Sequence, residues 1–210
     1  MTENGRVIWG RKNSINVMKV LWCCEELGLP YERKDVGGAF GGNDTPEYLT
    51  MNPNGKVPVL DDNGYILWES NVIVRYLAFT YGNPGLFPED PQTRFRAEQW
   101  MDWMQTAIQP AMWAMFWHLI RFSPEDRDPE QIETSRKASI EVFQMFEEHL
   151  ENNTYAAGDE FTMGDIPVGA AVHRWFSLPV ERPDLKLLKA YYDRLGERPA
   201  YQKHIMLPLT

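Results

Sequence analysis

Cysteine is scarce in this chain: two among 210 residues, Cys23 and Cys24, and those adjacent. Adjacent thiols offer neither a metal quartet nor a disulfide framework. On a helix they point about 100° apart, and a bridge between them would strain the backbone. Both read as small apolar fillers of a reducing compartment. Basic residues are also few, 21 against 30 acidic, and the net charge of -9 is interrupted by no run of lysine or arginine. Such a field repels phosphate backbones, so nucleic acid is not expected as a partner. The longest apolar run, AMWAMFWHLI, is too short to span a bilayer, and MTENGRVIWG lacks the pattern of a secretion signal. The expectation is a cytoplasmic protein with no membrane partner. What remains, 43% hydrophobic and 24% charged residues, is the balance of an ordinary globular chain of one large or two small domains.

RVIWG (6–10) reads as a short strand, and Val17, Val20, Leu21, Cys24 and Leu27 then recur at helical spacing until Gly28 and Pro30. YERKDV (31–36) reads as a second strand. VPVL (57–60) and YILW (65–68) flank DDNG, a hairpin signal, and Ser70, Val72, Ile73, Tyr76 and Leu77 begin another helix. The order β-α-β, loop, β-β-α makes a unit of roughly eighty residues. GGAFGGND, inside the loop, lacks the lysine and spacing of a phosphate loop. GNPGLFPEDP, with three prolines and two glycines, reads as a linker, which divides the chain into domains 1–82 and 92–210 with 83–91 between them. The second domain reads as all helical: a long series over 92–122 bent near Pro110, an amphipathic helix over 129–151, a buried helix opened by Thr162 and Asp165 at capping distance, and two shorter helices near 184–195 and 199–206. The fold class is α/β plus all-α.

NPNGKVPVL followed by ILWESNVIVRYLA closely resembles the glutathione-binding signature of glutathione transferases, and FTMGDIPVGA resembles the capping motif of their helical domain. The resemblance covers nearly the full chain and is similar in kind to bacterial theta-like and Nu-like members that use a serine. It implies a thioredoxin-like N-terminal domain, a C-terminal helical bundle, glutathione as cosubstrate and a homodimer, with Trp100 and Trp103 on the helix used for pairing. Only ~5% of X-Pro bonds are cis, so the residues alone favour a trans Pro58. The resemblance implies a cis Val57-Pro58 bond that turns Val57 outward, where its amide and carbonyl pair with the cysteinyl unit of glutathione like an added strand.

The other implied roles have plainer alternatives. Ser70 is an ordinary helix cap beside an acidic Glu69, or it and the free amides of its helix bind the γ-glutamyl carboxylate while Glu69 meets the ammonium. Lys56 is a solvated charge or a partner of the glycyl carboxylate. Counting back from LPYE, which ends the first helix, places Ser14 at the position of the activating serine; read alone, it is a cap. Asn16 is a second capping residue or helps hold the sulfur. Arg11 and Lys12 are surface charges or attract an anionic cosubstrate, and for Arg11 we favour the second. Met112, Met115, Phe116 and Leu119 form a helical stripe, which is core or an adaptable wall for an apolar electrophile. His118 and His173 read as structural or surface residues. The leading expectation is a glutathione S-transferase acting on small electrophiles, possibly halogenated ones. A glutathione-dependent disulfide or peroxide reductase and a non-catalytic interaction module are the competing readings.

Overall fold

The computed structural model describes residues 5–82 and 85–210. Residues 83 and 84, at the start of the expected linker, lie outside the described residues. Four strands, β1 (Arg6–Trp9), β2 (Glu32–Lys34), β3 (Val59–Asp62) and β4 (Tyr65–Trp68), form one sheet in the order β2-β1-β3-β4. β1 pairs with β2 in parallel, and β3 is antiparallel to both of its neighbours. The hairpin turns on Asn63 and Gly64, both at positive φ (56° and 92°), the conformation that an Asn-Gly pair adopts most readily.

Helices α1 (Ile15–Glu26) and α3 (Ser70–Tyr81) pack together, with Val17, Val20, Ile73, Val74 and Leu77 fully buried. A short helix α2 (Pro46–Met51) joins Val36 and Val59 through Tyr48 in a second core cluster. The sequence pattern predicts a loop at this position. Six residues are too few to display a helical period, and the signal present was local: Thr45 accepts from the Tyr48 amide and Pro46 occupies the first helical position. β3 also begins two residues later than expected, since Pro58 has no amide to give the ladder. At the far end of β3, Asp62 is paired with Arg6 at 3.0 Å and accepts from the hydroxyls of Tyr76 (2.9 Å) and Tyr81 (2.6 Å). A buried ion pair this well supplied with donors holds β1, β3 and α3 in register. This is the thioredoxin-like arrangement that the sequence implied.

The rest of the described chain is helical: α4 (Pro91–Trp103), α5 (Gln109–Phe116), α6 (Pro129–His149), α7 (Asp165–Ser177), α8 (Lys186–Gly196) and α9 (Pro199–His204). α4 and α5 belong to one long helix that contains two wide π turns, Met104–Ile108 and Trp117–Arg121. The first lies immediately ahead of Pro110, where the proline's missing donor interrupts the regular ladder. Trp100, on α4, points inward: it is 8% exposed and packs on Phe146, His149 and Trp103.

α7 starts in a buried capping arrangement. Asp165 accepts from the amides of Thr162 (2.9 Å) and Ala156 (2.8 Å) and from the Tyr191 hydroxyl (2.9 Å). The two halves are joined by Glu26, which takes two hydrogen bonds from Arg198 and one from Trp22, and by Asn71, which donates to Met101 O and Gln105 Oε1. Trp22 itself is fully buried against Phe161 and Tyr201, a contribution on the order of 3 kcal/mol. Cys23 and Cys24 are buried and unbridged, and burial raises both thiol pKa values.

Candidate active site

The two halves enclose a cleft of about 490 Å³. Its N-terminal wall begins where β1 gives way to α1. Past the strand, the Gly10 and Arg11 amides still bond Lys34 O (2.8 Å) and Val36 O (3.0 Å), so the chain leaves the sheet beside β2. Gly10, at φ 155°, lies so close to α1 that a Cβ there would meet Val17 Cγ2 at 2.5 Å. Ser14 is the N-cap of α1, with extended backbone (φ -87°, ψ 125°), yet its side chain accepts no amide of its own helix. The capping geometry is present and the hydroxyl is unused by it. Asn16, in the first turn, also lines the cleft, and its side chain has no partner among the described residues.

Opposite this corner runs the segment before β3. Lys56 O is fixed by the Tyr48 hydroxyl (2.7 Å) and Asn52 Nδ2 (2.8 Å), and Gly55 O by Asn43 Nδ2 (2.8 Å). The Val57-Pro58 bond is cis. Among the described residues neither the amide nor the carbonyl of Val57 finds a backbone partner. Glu69 caps α3 at φ 71°, a left-handed conformation unusual for a side-chain-bearing residue. Its carbonyl takes the Ile73 amide, while the amides of Ser70, Asn71 and Val72 open the helix without intrahelical acceptors. Ser70 is buried; Glu69 and Lys56 are exposed. Arg11, Ser14, Asn16, Lys56, Val57, Pro58, Glu69 and Ser70 thus line one cleft, joined by Asn52, whose Nδ2 bond to Lys56 O sequence reasoning missed.

The helical wall differs from expectation. Met112 and Met115 are 2% and 0% exposed and do not line the cleft; Phe116 does. The methionines face the core because α5 lies along α6, with the Met115 amide donating to Ser135 Oγ at 3.1 Å. The lining residues occupy the next stripe around the same helix: Gln105, Gln109, Trp113, Phe116, Trp117 and Arg121, with Arg174 coming from α7. A repeat of glutamine and tryptophan every four residues from 105 to 117 carried that stripe in the sequence, and Arg174 stood out as a charge inside an apolar helix. Trp113 and Trp117 pack with ring centroids 5.7 Å apart and planes tilted by 38°. The Arg174 guanidinium lies 3.8 Å from the centre of the Phe116 ring, and that of Arg121 lies 5.6 Å from it. Burial, then the positive charges of Arg121 and Arg11, bring the Arg174 pKa down to about 9.

The remaining histidines of interest are structural. His118 accepts the Asp128 amide at 3.1 Å, and His173 bridges the Tyr192 hydroxyl and Leu207 O, both at 3.0 Å. Among the described residues no group of three or more His, Cys, Asp or Glu is placed to hold a metal ion.

Residues 7–79 match the family described as glutathione S-transferase, N-terminal domain, and residues 103–199 the corresponding C-terminal domain. The chain is 41% identical to glutathione S-transferase GstB of Escherichia coli strain K12 over 97% of its own length and 99% of the relative's. It is 31% identical to glutathione S-transferase 3 of Zea mays, covering 94% and 92%. Among solved structures, a theta class glutathione S-transferase from Xanthomonas axonopodis pv. citri with glutathione bound superposes with a TM-score of 0.95, at 46% identity and covering 99% and 100% of the two chains. The glutathione transferase URE2P6 of Phanerochaete chrysosporium, in complex with oxidized glutathione, superposes with a TM-score of 0.86 at 26% identity, covering 96% and 94%. A thioredoxin-like sheet, an all-helical partner domain and these likenesses along the whole chain lead to one conclusion: this protein belongs to the glutathione S-transferase family.

Proposed function

We propose that the N-terminal wall binds reduced glutathione and that Ser14 holds its sulfur as the thiolate, for transfer to a small electrophile seated on the helical wall. The observation that carries this reading is the Ser14 hydroxyl, placed at a helix start and unused as a cap. Val57 offers the cysteinyl unit one amide and one carbonyl, as an added strand would. The open amides of α3, with Ser70, take the γ-glutamyl carboxylate. Glu69 meets the ammonium, and Lys56 reaches for the glycyl carboxylate.

A free thiol of pKa ~8.5 is only about 3% thiolate at pH 7. A hydroxyl donating to the sulfur anion, aided by the positive end of α1, contributes ~1.5 to 3 kcal/mol, or roughly one to two pKa units. Nucleophilicity falls with pKa by a coefficient of only ~0.4 to 0.5, so the gain in thiolate outweighs it. The thiolate attacks the electrophilic carbon, the C–S bond forms, and the leaving group departs with its bonding pair.

Replacing Ser14 with alanine tests the assignment. The acid limb of the rate profile should move up by roughly one to two pH units, with turnover at pH 6.5 down about 3- to 8-fold once the lower nucleophilicity of the stabilised thiolate is counted, and glutathione affinity little changed. Full activity of S14A across pH 6 to 8 would leave the serine no chemical role. The free Asn16 amide beside Ser14 favours a second reading, reduction of glutathione-linked disulfides; turnover of such a disulfide with none of any aryl or alkyl halide would select it.

The same reading includes a cytoplasmic setting, where glutathione is kept reduced, and a homodimer. No helix among the described residues is long and apolar enough to cross a membrane. Phe79 on α3 and Phe95 on α4 are 70% and 66% exposed, and paired subunits would cover them. Sedimentation as a monomer at micromolar concentration would remove that part.

A further inference from the structure

Arg11, Arg121 and Arg174 come from the β1–α1 corner, a π turn and α7, and all three line the same end of the cleft. None of their side chains takes part in a hydrogen bond or ion pair among the described residues, and the buried Nη1 of Arg11 and Nε of Arg174 have no acceptor. The chain as a whole carries a net charge of -9, yet four cations, these arginines and Lys56, line the cleft against one carboxylate, Glu69. Clustered guanidinium groups repel one another, which is the second cause of the lowered Arg174 pKa. The fold keeps them together without a counter-ion. Phe116 supports two of them through its ring face, which leaves the edges of the guanidinium forks to an incoming oxyanion.

Glutathione alone does not answer this charge. As the thiolate it has two more negative charges than positive ones, and its carboxylates are already provided for at α3 and Lys56. A positive excess remains at the helical end, beside the exposed rings of Trp113 and Trp117. We propose that Arg11, Arg121 and Arg174 form an oxyanion subsite for the second substrate, so that the preferred electrophile itself bears a carboxylate. This rests on the glutathione-transfer reading and names its substrate class. The thiolate attacks the carbon bearing the halogen, the halide leaves with the bonding pair, and the carboxylate stays unchanged between the arginines while the tryptophans take the apolar body.

A matched pair of aryl halides tests it: a chlorodinitrobenzoate with its carboxylate para to chlorine, and the corresponding benzamide, each rate divided by its uncatalysed rate with glutathione. The wild-type protein should favour the anion by roughly tenfold or more in kcat/KM. Arg121→Gln and Arg174→Gln should each lower the anion-to-amide ratio about tenfold. Raising ionic strength should raise KM for the anion and not for the amide, a readout that needs no variant. A wild-type ratio near one, equal losses for both substrates in the variants, or a rise in KM for glutathione with the ratio unchanged would each overturn the subsite. Binding of S-hexylglutathione separates the two levels: if it binds and no anion preference appears, only the subsite falls; if it does not bind, the glutathione reading falls with it.

Discussion

Each wall of the cleft has a cation set into it, Lys19 fully buried and Arg174 half-buried, and the two cations are treated differently. Lys19, in α1 under the N-terminal wall, donates to Asn71 Oδ1 at 2.9 Å, and burial brings its pKa down to about 7. It has a neutral partner and releases its proton near neutrality. Arg174, under the helical wall, is held near 9 and has no acceptor for its Nε, so it stays charged. The N-terminal wall presents a ligand with unpaired backbone groups and with short neutral side chains, those of Ser14 and Asn16, that have no partner of their own among the described residues. The helical wall presents long side chains and a charge that the protein does not balance.

The contrast breaks most completely where the helical wall loses its footing. Asp165→Ala removes the acceptor for two buried amides and the Tyr191 hydroxyl at the start of α7; we expect a loss of about 4 kcal/mol and a thermal midpoint roughly 10 °C lower. A midpoint within a few degrees of wild type would mean that α7, and Arg174 with it, is held by packing alone. On the other wall, Glu69→Gln should leave the fold intact and raise KM for glutathione roughly five- to tenfold with kcat nearly constant; a fall in kcat instead would place Glu69 in the chemical step.

Lys19 sharpens the comparison through pH. Its folded pKa, about 7, lies below the ordinary 10.5, so between these values the unfolded chain holds a proton that the folded chain has shed. Stability from this group therefore rises with pH from about 7 upward, and below that the full cost of the buried charge is present. The thermal midpoint of the wild type, measured relative to Lys19→Met, should climb between pH 7 and 9. A constant difference would show that the folded lysine keeps its proton across this range, as the unfolded one does. The smallest effect is expected at Trp113, 52% exposed: alanine there should change stability by less than ~0.5 kcal/mol while raising KM for a neutral aryl halide a few fold, and an unchanged KM would remove it from the electrophile wall.

Much of the N-terminal wall was legible because its signals are short-range. A cap residue before a helical series marks Ser14, and the contiguous stretches NPNGKVPVL and ILWESNVIVRYLA carry the family resemblance that singles out Pro58 and Ser70. The capping of α7 by Thr162 and Asp165 was readable for the same reason. The helical wall was not, since its helix carries two plausible inward stripes, methionine-rich and tryptophan-rich, and only the position of α6 decides between them. Expecting Met112 and Met115 in the cleft followed from choosing the more apolar stripe, which burial assigns to the core. The arginine group was hidden for another reason: residues 11, 121 and 174 are far apart in the chain, and a scan for runs of basic residues passes over them.

The π turn at Trp117–Arg121, where the Phe122 amide reaches back to Trp117 O, matters when this protein is set beside its relatives. A π turn holds one residue more than the regular turn it interrupts. A relative with an unbroken helix here aligns correctly only through a one-residue gap in mid-helix, and without that gap Arg121 is matched to the wrong neighbour. A survey of the family column by column would then record the charge as lost in proteins where it has only moved one place along the helix.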